Sequence, residues 1–146
     1  MPEQQETRQQ NLEQERGRIA WDNVRSIVAK QNKTLQKEYR SLARGLNAMI
    51  QINGLGQTLG FLKAKGKNDN NKAHYLLLKD LTNWMKVEEH FHATNASAMQ
   101  NASDGLLKWV VDADTSSADY RRATAECLAF GNWLRRFAEA ELEGED

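Results

Sequence analysis

Six cations and a single acid fall between residues 25 and 44: Arg25, Lys30, Lys33, Lys37, Arg40 and Arg44 against Glu38. Lys33, Lys37, Arg40 and Arg44 are spaced by 4, 3 and 4 residues. On an α-helix that spacing puts all four side chains in one row. The row would be ~16 Å long, enough to follow a few phosphates along a nucleic-acid strand. No aromatic residue interleaves it as a base-stacking platform would require, so such a surface would read charge and shape rather than sequence. The plainer alternative is a solvated helix face, which is what most charge runs are.

Other chemistries find less support. Glu89 and His92 form one Glu-x-x-His pair, but a di-metal carboxylate bundle needs two, and His74 has no acid three residues before it. His74, His90 and His92 therefore read as polar residues, and no metal or cofactor is expected. Gly54-Leu55-Gly56-Gln57-Thr58-Leu59-Gly60 has neither the dinucleotide-binding spacing nor the phosphate-loop spacing, and no strand precedes it. It reads as a helix junction. The lone Cys127 lies on an apolar stripe and reads as a small core residue rather than a nucleophile. No Ser, His and Asp arrangement stands out, so no catalytic residues are assigned.

The elements that must position the cations are helices. Leu35, Tyr39, Leu42, Leu46 and Met49 step by 4, 3, 4 and 3, on the side of the helical wheel opposite the cations. They predict a helix over about 34–52, with Asn32 and Thr34 as cap candidates and Asn53-Gly54 as its end. Leu12, Ile19, Ala20, Val24, Ile27 and Val28 predict an earlier helix over about 5–30, its first two turns polar all round. Leu55, Leu59 and Leu62 give a short helix to about Lys65, followed by a Gly66–Asn71 loop. Tyr75, Leu78, Leu81 and Met85 predict a helix over about 71–90, and Ala98, Ala102, Leu106, Trp109 and Val110 another over about 95–113. Last comes a stripe of Tyr120, Ala123, Cys127, Phe130, Leu134 and Phe137, with Ser116, Ser117 and Asp119 to start it. Arg121, Arg135 and Arg136 fall on its other side. Residues 139–146 hold five acids in eight and are expected to lack structure after the first turn. Trp21, Trp84, Trp109 and Trp133 are read as core rather than base-stacking residues.

No segment alternates as a strand would. The expected fold is all-α: a single compact bundle of five or six helices spanning residues 1–146, frayed over about 1–8 and 140–146. With 146 residues and one proline, the chain suits one core built from long helices. No apolar run approaches the ~20 residues of a membrane span. One cysteine excludes an internal disulfide, and nothing reads as a secretory signal, so a cytoplasmic setting is expected. The net charge of zero hides an asymmetry. Residues 1–66 carry 11 Lys/Arg against 6 Asp/Glu, and residues 67–146 carry 9 against 14. Such a chain suits binding to a polyanion or head-to-tail stacking on its own copies.

Two stretches carry a resemblance. The final helix, from Tyr120-Arg121-Arg122-Ala123-Thr124-Ala125-Glu126 through Phe130 to Trp133-Leu134-Arg135-Arg136-Phe137-Ala138, resembles the C-terminal signature of the small α-helical subunit of the type III-B CRISPR effector, the Cmr complex. Ile50-Gln51-Ile52-Asn53-Gly54-Leu55-Gly56-Gln57-Thr58-Leu59-Gly60-Phe61-Leu62-Lys63 is similar to the family's other recognisable stretch. Gly60 and Gly131 depart from it, standing where a helix former or a bulkier residue is expected. The resemblance implies a non-catalytic subunit, present in several copies, that stacks beside the backbone-subunit filament holding the CRISPR RNA. Target RNA would lie in the groove between the two filaments, read by base pairing with the guide. Under that reading Lys33, Lys37, Arg40 and Arg44 face phosphates, extended by Arg25, Lys30, Lys63 and Lys65. Arg121, Arg135 and Arg136 are further candidates, although Arg135 and Arg136 could instead pair with Glu126 or Glu139. The alternative is a helical protein–protein adaptor whose basic face meets an acidic partner and never touches RNA.

Overall fold

The computed structural model describes residues 2–86, 95–100 and 102–145, with side chains from residue 11 onward. Six α-helices and one 3-10 turn occur among the described residues, with no strand.

The first two helices, α1 (Pro2–Ala29) and α2 (Lys33–Asn53), are joined by a tight turn. Gln31 takes a left-handed conformation there, and the Asn32 side chain accepts the Leu35 amide at 3.1 Å to cap α2. Gly54, with φ of 87°, then turns the chain into α3 (Leu55–Gly66), a conformation that favours glycine. The loop at residues 67–72 leads to α4 (Ala73–Met85). The expected extension of that helix to residue 90 lies outside the described residues, as do Glu89, His90 and His92.

One expected helix is broken. Residues 95–113 form a 3-10 turn over Ala96–Met99 and a short helix α5 (Gly105–Val110). Gln100 is extended, and Gly105 packs so tightly on the Met99 carbonyl that no Cβ would fit. The apolar spacing is nevertheless used, since Leu106 and Trp109 are buried. The final helix α6 (Ser117–Glu141) begins where the Ser116 hydroxyl accepts the Asp119 amide at 3.1 Å.

The core draws on every predicted stripe, but Leu42, Met49 and Tyr75 are only partly buried while Ala43, Ile50 and Leu76, outside the stripes, are buried. Ala123, Cys127, Phe130 and Leu134 of α6 are fully buried, packed mainly against α1 and α2. Trp84 of α4 stacks flat on Phe130 with centroids 5.0 Å apart. Tyr39 of α2 is buried, and its hydroxyl donates to Asp80 Oδ2 of α4 at 2.7 Å. Trp84 and Trp109 are core residues, whereas Trp21 is 39% exposed and packs edge-on against Phe137.

The tail departs from expectation. Leu142 continues the four-residue step of Leu134 and Ala138 and is buried. Residues 143–145 then turn back over the start of α2. The Glu143 amide donates to Gln36 Oε1 at 3.0 Å.

Candidate nucleic-acid interface

The cations of α2 do not stand on a bare helix face. α6 lies against α2 with its C-terminal end beside the N-terminal half of α2, as the Arg44–Glu139 pair and the Gln36–Glu143 bond show. Lys37, Arg40 and Arg44 of α2 and Arg135 of α6 consequently line one groove of about 580 Å³, with Ser41, Gly45, Gly144 and Glu145. A second hollow, lined by Trp133, Arg135, Arg136, Glu139 and Glu13 among others, shares Arg135 with it.

The four members of the predicted row fare differently. Lys33 and Lys37 are exposed. The Arg44 side chain is 39% exposed, and its Nε lies 3.8 Å from Glu139. Arg40 is only 5% exposed. It lies beneath the tail, where its Nη1 donates to the Glu145 carbonyl at 2.6 Å. Arg44 Nη1 donates to the same carbonyl at 3.1 Å. A helical wheel of α2 alone puts Arg40 in solvent, but the neighbouring segment covers it.

Glu139 is the electrostatic hinge between the two helices. Arg135 Nε donates to its Oε1 at 2.8 Å, the same oxygen that faces Arg44. The Arg135 hydrogen bond holds the Glu139 carboxyl below the usual carboxylate range, helped by the nearby charges of Arg135, Arg44 and Arg40. Arg135 therefore pairs with Glu139 and not with Glu126.

The outlying candidates divide. Arg25 sits 5.8 Å over the Trp21 ring and 3.7 Å from Glu141. Lys30, exposed, borders a small cavity of about 160 Å³ beside Asp80. Lys65, Arg121 and Arg136 are exposed. Lys63 is engaged elsewhere: its Nζ donates to Asp104 Oδ2 at 2.6 Å, and Lys108 stands 3.4 Å from the other oxygen. Burial pushes the Asp104 carboxyl up, but Lys63, aided by Lys108, outweighs this and holds it below its ordinary value. Lys63, Lys65 and Arg121 do not line the groove.

Two features escaped the sequence. One is the tail, whose Glu145 carbonyl reaches Arg40 and Arg44 on the groove wall; the signal was the complement of an acidic C-terminus to a basic helix. The other is Arg16, which clamps Glu126 across the bundle and stands in a stretch too rich in charge to single it out.

Burial pushes the Cys127 thiol far above its ordinary value, which removes the thiolate that nucleophilic chemistry needs. Among the described residues no group of three or more His, Cys, Asp or Glu side chains could hold a metal ion, and no helix is long and apolar enough to cross a membrane.

Comparison with known proteins points one way. The chain is 29% identical over 122 residues to the CRISPR system Cmr subunit Cmr5 of Thermotoga maritima, covering 83% of this chain and 80% of the relative. It is 28% identical over 106 residues to the protein of the same name from Thermus thermophilus, covering 73% of this chain and 76% of that one. The family model described as CRISPR-associated protein (Cas_Cmr5) matches residues 12–141, nearly the whole helical bundle, and the chain belongs to that family.

Proposed function

We propose that the chain is a non-catalytic subunit of a type III-B CRISPR effector, the Cmr complex, acting in antiviral defence. Several copies stack beside the backbone-subunit filament, and the basic groove helps hold CRISPR RNA or its target by phosphate contacts that ignore sequence. The observation that carries this reading is the convergence of Lys37, Arg40, Arg44 and Arg135 from two helices in one groove. Family membership supports a place in a Cmr complex. No aromatic ring lines that groove, which suits backbone contact over base stacking. The opposite charges of the two halves of the chain suit an open, heterologous contact between copies, the kind that builds a filament.

The test is target-RNA binding by the reconstituted complex over a salt series, with and without Lys33→Glu, Lys37→Glu and Arg44→Glu. Arg40 is left intact because it is buried. Assembly is checked by mass. The expected outcome is weaker binding in an intact assembly, uniform across RNA sequences, with the salt slope reduced by ~0.7 for each phosphate no longer neutralised. Unchanged binding in an intact assembly would refute the groove. It would favour the adaptor reading, for which the groove's present occupant, an acidic stretch of polypeptide, is the supporting observation.

A further inference from the structure

The groove assigned above to phosphate is already bordered by the chain's own C-terminal segment, Gly144 and Glu145. The Glu145 carbonyl takes a hydrogen bond from Arg40 and another from Arg44. Gly144 lies so close that an added Cβ would sit 2.6 Å from Arg40 Cδ. The segment is rich in acids, with Glu139, Glu141, Glu143, Glu145 and Asp146 in eight residues. Glu139 engages Arg135 and Arg44, and Glu141 reaches Arg25. Four of the candidate RNA-binding arginines are thus met by the chain's own C-terminal oxygens.

We propose that residues 143–145 are an intramolecular competitor for the groove, so that an RNA phosphate and the tail exclude one another on Arg40 and Arg44. The inference rests on the phosphate-groove reading. Two observations show how the exchange can occur without unfolding. Leu142 is buried and anchors the end of α6 in the core, so the strap can leave while the helix stays. Beyond Leu142 the strap is held by polar contacts to Gln36, Arg40 and Arg44; on the two arginines an anionic phosphate oxygen can take the place of the neutral Glu145 carbonyl, while Gln36 Oε1 passes to water. A strap seated about nine-tenths of the time lowers the apparent RNA affinity of the free chain about tenfold. The same strap keeps the isolated subunit from collecting arbitrary polyanions. Several copies aligned along one strand would displace their straps together through their combined contacts.

The experiment uses the full chain with a dye on Glu145→Cys, since the buried Cys127 thiol will not compete for the label, and a 20-nucleotide oligouridine as probe. RNA affinity is measured in parallel for a chain ending at Leu142, with thermal melts as the check on folding. RNA should lower the anisotropy of the tail dye with the same midpoint as binding. The shortened chain should bind at least about threefold tighter at ~0.1 M salt, and the gain should vanish when Lys37→Glu and Arg44→Glu are added. Asp112→Asn with Asp114→Asn, which removes acids that do not line the groove, should leave affinity within about twofold. RNA binding that leaves the tail dye immobile, or equal affinity of the two lengths, overturns the competition while the groove stands. Failure of charge reversal to weaken binding by either length overturns the groove and the competition together.

Discussion

Arg16 and Glu126 face each other across 110 residues of sequence in a two-pronged pair. Arg16 Nε donates to Glu126 Oε2 at 2.7 Å and Nη2 to Oε1 at 2.8 Å. The Trp84 indole donates to the same carboxylate at 3.1 Å, and Glu13 steadies Arg16 at 3.0 Å. Helices α1, α4 and α6 are thus pinned at one point, with the pair's side chains 16% and 9% exposed. Removing one partner of a buried pair strands the other's charge. Arg16→Ala should therefore cost ~3 kcal/mol and lower Tm by ~6–12 °C. Glu126→Gln, which keeps an acceptor for Trp84, should cost roughly half as much. Thermal melts of both variants check this, and a loss of a degree or less for Arg16→Ala would show the pair to be no more than a surface ion pair.

Gly131 is a glycine in the interior of α6, and the structure gives a reason for it. An added Cβ there would collide with Asn47 Oδ1. The Asn47 amide donates to the Leu128 carbonyl at 3.0 Å and to Asn132 Oδ1 at 2.8 Å, tying α2 to the middle of α6. In a free helix Gly→Ala gains ~1 kcal/mol. Here Gly131→Ala should instead destabilise by ~1–2 kcal/mol, because Asn47 must leave its partners. Adding Asn47→Ala should recover much of the loss. A double-mutant cycle with no coupling between the two positions would refute this account.

Those two relationships also show what a single sequence reveals. Helices α2 and α6 are legible to their caps, because Asn32 and Ser116 are local signals and their apolar steps face one core. The break before α5 is not, since Ala98, Ala102 and Leu106 keep helical spacing, while the extended Gln100 and the packing of Gly105 on Met99 leave no trace in that spacing. The basic row is legible as a row, yet a wheel of α2 puts Arg40 in solvent because it says nothing of what lies over it. The tail's acids suggest solvation when read locally. Leu142, one step beyond Ala138, is the overlooked sign that the stripe runs on into residues that then fold back. Arg135 joins the α2 cations only through the antiparallel contact of two helices far apart in sequence.

Asp80 should make stability depend on pH in an unusual direction. Burial pushes its carboxyl up to about 7, although the Tyr39 hydrogen bond and the charge of Lys79 act to lower it. A carboxyl with a raised folded value binds its proton more tightly in the native state than in the unfolded one. Its effect on stability is therefore absent well below the ordinary value. Stability then falls as pH rises through the window up to about 7. Asp80→Asn keeps an acceptor for the Tyr39 hydroxyl and removes the titration. Its Tm relative to the parent should rise by ~5 °C between pH 5 and pH 8, on the order of 2 kcal/mol after allowing for residual solvent. An equal difference at both pH values would mean that Asp80 stays ionised throughout.

Lys63 and Lys37 should separate structure from RNA contact. Lys63 is tied to Asp104, so Lys63→Ala should lower Tm by a few degrees, ~1 kcal/mol after discounting its partly exposed side chain. Because Asp104 is held below its ordinary value, the stability it contributes is present above that value and fades as pH falls through the folded one. The Tm deficit of Lys63→Ala should therefore shrink in acid. RNA binding by the assembled complex should keep its salt slope. Lys37 is exposed on the groove wall. Lys37→Ala should hold Tm within ~1 °C yet reduce the slope by ~0.7 for each subunit that meets a single strand through this residue. If the roles come out reversed, with Lys63 setting the slope and Lys37 the melting point, then RNA runs past α3 and not along the seam between α2 and α6.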